Sequence, residues 1–191
     1  VGEGGYVYAE PGIYVDVALL DVASMHPTSI ECLNIFGDRY TKRFSEIKQA
    51  RVAIKHHDDE TARKLLDGAL SPFLDEGVDY EALAFALKIV INSVYGLTAA
   101  KFTNPFKDPR NVDNIVAKRG ALFMVDLKHF VQEQGFDVAH IKTDSIKIPR
   151  ATPEIIEKVM EFGKKYGYTF EHEATYDCMC PVSYTHLRAH E

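Results

Sequence analysis

The apolar positions along this chain change period several times, and each change predicts an element. Ile13, Val15, Val17 and Leu19 alternate with Tyr14, Asp16 and Ala18, the two-residue period of a strand over Ile13 to Leu20. Tyr6 to Ala9 predicts a shorter strand, and Pro11-Gly12 predicts a turn that pairs the two as a hairpin. The second strand delivers Asp21 at its C-terminal end. The chain then bends through Ser24 and Pro27, and Cys32 to Phe36 is apolar and expected to pack. A helical period runs from Tyr40 to His57, with Phe44, Ile47, Val52 and Ile54 as its apolar members. Asp58-Asp59-Glu60 interrupts it, Thr61 to Leu66 resumes it, and Gly68 to Gly77 predicts a loop. Asp79 predicts the N-cap of the next helix, with a buried stripe at Ala82, Leu83, Phe85, Ala86, Ile89 and Val90 and an end at Gly96.

Thr98 to Asn111 reads as irregular. Val112 to Gln134 predicts a long helix closed by Gly135 in the left-handed position. Val138 to Ile141 and Ile146 to Ile148 predict a hairpin with Asp144 near its tip. Pro153 to Lys165 predicts a helix, and Tyr168 to Thr175 a closing strand. This order implies an α+β fold, an antiparallel sheet covered on one face, with a helical insertion from about Lys42 to Asn92.

Composition narrows the class. The chain has 191 residues, 46% of them hydrophobic, which supports a packed core. No apolar run looks long enough to cross a bilayer and the start does not read as a signal peptide, so a cytoplasmic protein is expected. Cys32, Cys178 and Cys180 are odd in number and scattered, which argues for a reducing compartment; Cys178-x-Cys180 lacks the second pair a zinc site needs. The net charge of −6 does not point to nucleic acid. Between Gly96 and Gly120, however, Lys101, Lys107, Arg110, Lys118 and Arg119 outnumber Asp108 and Asp113. Such a stretch can meet phosphates or be an ordinary solvated surface.

Two carboxylates stand where chemistry is possible. Asp21 at a strand end and Asp144 at a hairpin tip are separate in sequence but can converge, and a hard cation such as Mg²⁺ takes one or two carboxylates and keeps several waters. Read alone, Asp21 equally caps a strand and starts a turn. Backbone amides from Ser24 through Met25 to His26 can face an anion. Arg51 and Lys55 lie one turn apart on one helix, and Lys88, Asn92 and Tyr95 share a face of another. Read alone, the Arg51 and Lys55 pair is a solvated basic face.

Taken in order, Asp21-Val22-Ala23-Ser24-Met25-His26-Pro27, Lys88-x-x-x-Asn92-Ser93-x-Tyr95-Gly96 and Thr143-Asp144-Ser145 resemble the polymerase motifs of family B DNA polymerases. The resemblance runs through most of the chain up to about Pro181, and its short helical insertion is most like bacteriophage members. It implies a palm over residues 1–41 and 96–182 and fingers over 42–95, without the exonuclease or the thumb of the family. It implies template-directed DNA synthesis from dNTPs on a primer-template, by two Mg²⁺ ions held by Asp21, Asp144 and the Val22 carbonyl, with Mn²⁺ as a substitute. Arg51, Lys55 and Lys88 would take the triphosphate with the Ser24–His26 amides, Asn92 and Tyr95 would lie under the new base pair, and Gly96, Lys101 and Lys142 would meet DNA. For a phage protein the compartment would be the host cytoplasm.

Two positions depart from the family pattern. His26 stands where tyrosine is usual, which implies weaker exclusion of a ribonucleotide 2′-hydroxyl, or else a turn histidine with no sugar contact. Lys142 replaces the first aspartate of the Asp-Thr-Asp-Ser motif; it either reaches the primer backbone or marks a weakened enzyme. Lys164-Lys165-Tyr166 has the composition of a primer contact but reads as a helix end. Residues 183–191 lose the resemblance and read as a non-native tail, so His186 and His190 are set aside as metal ligands. Two other readings stay open: a different two-metal phosphoryl-transfer enzyme, and a non-catalytic nucleic-acid-binding module.

Overall fold

A computed structural model describes residues 5–75, 77–111 and 113–182. The expected tail at 183–191, with His186 and His190, lies outside the described residues. The strands are β1 (Val7–Ala9), β2 (Tyr14–Val22), β3 (His140–Lys142), β4 (Ser145–Ile148) and β5 (Phe170–Met179). The helices are α1 (Met25–Leu33), α2 (Gly37–Lys55), α3 (Asp59–Lys64), α4 (Tyr80–Thr98), α5 (Ile115–Glu133) and α6 (Pro153–Lys165). The chain divides into two compact units, Val1–Thr28 with Val116–Glu191, and Ser29–Ile115.

The first unit is an antiparallel five-stranded sheet in the order β1-β3-β4-β2-β5, carrying α5 and α6. Alternation along β2 sends Leu20 and Val22 to the helix side, where they join Ile146 and Ile148 of β4, Met124 and Leu127 of α5 and Val159 of α6 in one buried cluster. Asp21, between Leu20 and Val22, is therefore turned to the opposite face. Helix α6 starts where its sequence says it should: the Thr152 side chain accepts the Ile155 N–H and Pro153 occupies the first turn. Gly163 lets that helix approach β5 closely; a Cβ there would lie 2.7 Å from the Phe170 ring. Gly135 closes the sequence after α5 at φ +84°, as its position predicts.

Among the described residues of the second unit, the regular elements are all helices, joined by turns and irregular loops. Ala50, Ala53 and Ile54 of α2 pack with Ala84 and Leu87 of α4 and with Ala62, Leu70 and Leu74 of the segment between them. Asp79 caps α4 as expected, accepting the Ala82 N–H.

Four expectations need correction. Strands β1 and β2 do not form a hairpin; β1 pairs with β3, and β2 lies between β4 and β5. The Pro11-Gly12 segment carries the chain past β3 and β4, and all three residues of β1 pair with β3 instead. The bend after Asp21 runs into helix α1, which the poor helix formers Pro27, Thr28 and Ser29 conceal; burial of Met25, Thr28, Ser29 and Ile30 stabilises it instead. Helix α4 continues to Thr98 and buries Ala84, Leu87, Ile91 and Val94, leaving Phe85, Ile89 and Val90 exposed. Both faces of α4 are apolar, so periodicity alone does not choose between them. For the same reason α4 is, among the described residues, a helix long and apolar enough to cross a membrane by length and composition, contrary to expectation, with 28% of that stretch buried. Glu81 and Lys88 interrupt its apolar run without lowering the average far.

Candidate active site on the sheet

The geometry begins with the β2–β4 ladder. Leu19 pairs with Lys147, Leu20 with Ile146 and Asp21 with Ser145, so the last carboxylate of β2 faces the residue that follows Asp144. The β3–β4 turn is tight: the Asp144 N–H donates to the Lys142 carbonyl at 2.7 Å, and Thr143 takes φ +55°. The Val22 N–H in turn donates to the Asp144 carbonyl at 2.8 Å. Backbone pairing thus holds the two aspartates side by side, although 122 residues lie between them in the chain.

The electrostatics follow from this placement. Asp21 is half-buried, and burial is the largest cause raising its carboxyl from 3.8 to about 7; Asp144, Glu173 and Glu171 raise it further, while Lys147 opposes them. Burial likewise pushes the Lys147 ammonium down, against the pull of Asp21, and its Nζ donates to Ser145 Oγ at 3.0 Å. The arrangement is a pair of repelling carboxylates on a half-dry sheet face, with a lysine close by. Among the described residues no group of three or more His, Cys, Asp and Glu is placed to hold a metal ion. Two neighbouring carboxylates are oxygen ligands of the kind Mg²⁺ takes when water completes its shell.

Ser24 turns the chain at φ +55° and its carbonyl accepts the Thr28 N–H at 2.9 Å, opening α1. Met25 and His26 thus supply first-turn amides, where a helix presents N–H groups along its axis. The Met25 side chain is buried beneath this turn, and a Cβ on Gly120 would meet its Sδ at 2.7 Å. His26 is half-buried; burial lowers its imidazole below the ordinary value, while the charge of Asp144 acts in the opposite direction. Val22 is buried at the end of β2. Lys142 is exposed at the end of β3, and its backbone carbonyl accepts from Asp144 N–H and from Ser145 Oγ.

The remaining expected residues lie in the helical unit. Lys88 and Asn92 are exposed on α4, and Tyr95 is half-buried one turn further on. Arg51 is half-buried on α2 and Lys55 is exposed in its last turn. Helices α2 and α4 run antiparallel, since Ala50 to Ile54 pack with Ala84 and Leu87 while Phe44 and Ile47 share a cleft with Val90 and Val94. Arg51 and Lys88 therefore stand at neighbouring levels of the pair. Gly96 is exposed in the last turn of α4 and Lys101 is exposed in the loop beyond it. Sequence reading did not single out Lys147, Glu171 and Glu173 beside Asp21. The signal for Lys147 was present in the alternation Ile146-Lys147-Ile148, but it required the β2–β4 register to be read.

Comparison with known proteins gives no matching family model. In sequence, the chain is similar to DNA polymerase II of Escherichia coli (strain K12), 29% identical over 167 residues that cover 74% of this chain and 19% of that polymerase. In structure, it resembles the family B DNA polymerase of the hyperthermophilic archaeon Pyrobaculum calidifontis, with a TM-score of 0.62 and 15% identity over 95% of this chain and 26% of that one. The chain thus spans about a fifth of the length of the curated relative; it is similar to that DNA polymerase in sequence and to a family B DNA polymerase in fold.

Proposed function

We propose that this chain is a palm and fingers segment of a viral family B DNA polymerase, joining dNTPs to a primer 3′-hydroxyl under template direction. The observation that carries the reading is the convergence of Asp21 and Asp144 through the β2–β4 ladder. Asp21, Asp144 and the Val22 carbonyl would hold the two Mg²⁺ ions, or Mn²⁺ in their place. Bound there, the ions supply Lewis-acid stabilisation of the attacking and leaving oxygens. The chain's own residues do the positioning. Lys88, Arg51 and Lys55 draw in the triphosphate, helped by the amides of Ser24, Met25 and His26. The His26 ring limits the space beneath the sugar, and Asn92 and Tyr95 support the incoming base. Gly96, Lys101 and Lys142 contact the primer-template. In this reading the sheet unit is the palm, the helical unit supplies the fingers, and the site of action is the cytoplasm of the host cell.

Primer extension with Mg²⁺ tests the assignment. Asp21→Asn and Asp144→Asn are each expected to lower extension by roughly 10³-fold, the several kcal/mol that such ions supply. Extension at the native rate by both variants would end the carboxylate assignment. The exposed lysine at position 142 favours one other reading, a DNA-binding module with weakened chemistry. That reading predicts salt-dependent DNA binding that is indifferent to divalent cations.

A further inference from the structure

Away from the carboxylate pair, the helical unit holds a cleft of about 770 Å³ between the first half of α2, the second half of α4 and the loop around Phe106. Its walls are aromatic. Phe36 stands edge-on to both Phe44 and Phe106, with ring centroids 6.0 Å apart in each pair. Two rings remain open to solvent: Tyr40 is 64% exposed and Phe106 38% exposed. The Arg39 guanidinium lies 5.6 Å from the centre of the Tyr40 ring.

The cleft is also pre-formed. Arg110 ties the loop down by donating to the carbonyls of Asn34 and Ile35, and Asp108 holds that guanidinium at 2.9 Å. Its charge runs against that of the whole chain: Arg43, Lys107 and Arg110 line it against the single carboxylate of Asp108, whereas the chain carries −6. Arg43 and Arg110 are partly neutralised by Glu46, Asp67 and Asp108. Lys107 donates to the Lys101 carbonyl at 3.1 Å, and among the described residues neither lysine pairs with a carboxylate. Solvent-facing rings interleaved with uncompensated cations suit a flat, stackable and anionic ligand. Single-stranded nucleic acid combines these properties, since bases stack on rings regardless of sequence while phosphates track the cations. An apolar peptide would leave Lys101 and Lys107 unanswered, and a duplex keeps its bases stacked on one another.

We propose that this cleft binds single-stranded DNA, with about two nucleotides stacked on Tyr40 and Phe106 and their phosphates beside Lys107 in its lining. The identification of the strand as unpaired template rests on the polymerase reading; the binding itself does not. The test is fluorescence anisotropy of a short labelled oligothymidylate with the 191-residue chain, in EDTA and without nucleotide. Tyr40→Ala and Phe106→Ala are each expected to weaken binding by roughly 5- to 100-fold. Tyr40→Trp should retain it. Lys107→Ala should reduce the slope of log affinity against log salt by about 0.7.

Tyr40 is too exposed to be needed for folding, so the contrast between its alanine and tryptophan variants carries the result even if Phe106→Ala loosens the loop. Native affinity in Tyr40→Ala or equal weakening by Tyr40→Trp would each overturn the proposal. With no cation or nucleotide present, the outcome is independent of Asp21 and Asp144. Aromatic-dependent binding alongside extension that ignores both aspartates would defeat the polymerase reading alone. Unaltered binding alongside extension that needs them would defeat the cleft alone.

Discussion

In the sheet unit the two candidate aspartates are short side chains held by a strand end and a tight turn; in the helical unit the candidate lysines are long side chains carried by helices. Asp21 and Asp144 sit at the end of β2 and in the β3–β4 turn, where backbone hydrogen bonds fix them, and burial raises the Asp21 carboxyl to about 7. Lys55 and Lys88 stand exposed on α2 and α4, with flexible stems that set their reach. The same contrast governs packing. Gly163 is pressed against Phe170 and Tyr168, whereas nothing lies within 4 Å of a Cβ built on Gly96. The physical lesson is a division of labour. Short carboxylates are placed by rigid backbone, because their side chains cannot reach; long ammonium side chains reach by their flexible stems.

That contrast can be broken by experiment, beginning with the largest effect. Lys88→Ala is expected to raise the KM for dNTP by roughly 10- to 100-fold, the worth of a hydrogen bond to a charged group. Because an exposed lysine reaches by its stem, Lys88→Arg should recover most of the loss, and steady-state kinetics with both variants would separate charge from position. In the sheet unit, Gly163→Ala should destabilise the fold by about 1–3 kcal/mol, since Phe170 and the Tyr168 carbonyl leave no room for a methyl group. Urea denaturation measures this; an unchanged midpoint would mean that α6 can move away from β5 freely.

His26→Tyr should raise the preference for dNTPs over rNTPs by about tenfold, a pocket effect of ordinary size. Equal incorporation ratios for native and variant would remove His26 from the sugar. The raised carboxyl of Asp21 has a pH signature in metal-free protein. The folded state holds a proton on Asp21 that the unfolded chain loses near 3.8, so stability contributed by the protonated form is present at low pH and is lost as pH rises towards about 7. Asp21→Asn should therefore flatten the thermal-melting profile between those values in EDTA, and added Mg²⁺ should flatten it in the native chain. At the small end, Gly96→Ala should stabilise the helical unit by about 0.5–1 kcal/mol through helix propensity, the opposite sign to Gly163→Ala.

Local signals were legible wherever a residue's own chemistry decided the outcome. Helix α6 spans Pro153–Lys165 as expected; Thr152 caps its start and Gly167, at φ +86°, follows its end. Asp79 and Gly135 marked their helix ends for the same reason. The aspartates and the residues of the three motifs could be named from their order alone. What stayed hidden depended on distant partners. Helix α1 runs through Pro27-Thr28-Ser29 and is held by burial, and β1 is completed by β3, more than a hundred residues later.

The sequence by itself determined which residues carry charge, where helices α4 and α6 begin and that two carboxylates end up at strand edges, because caps, glycines and alternation act within a few residues. Only the tertiary structure decided that Asp21 and Asp144 are neighbours, that Lys147 faces them, that α4 buries Leu87 and Ile91 instead of Phe85 and Ile89, and that Tyr40 and Phe106 open into one cleft. Each of those outcomes is set by register or by packing between segments far apart in the chain, and the free energy that selects among them is not contained in any local pattern.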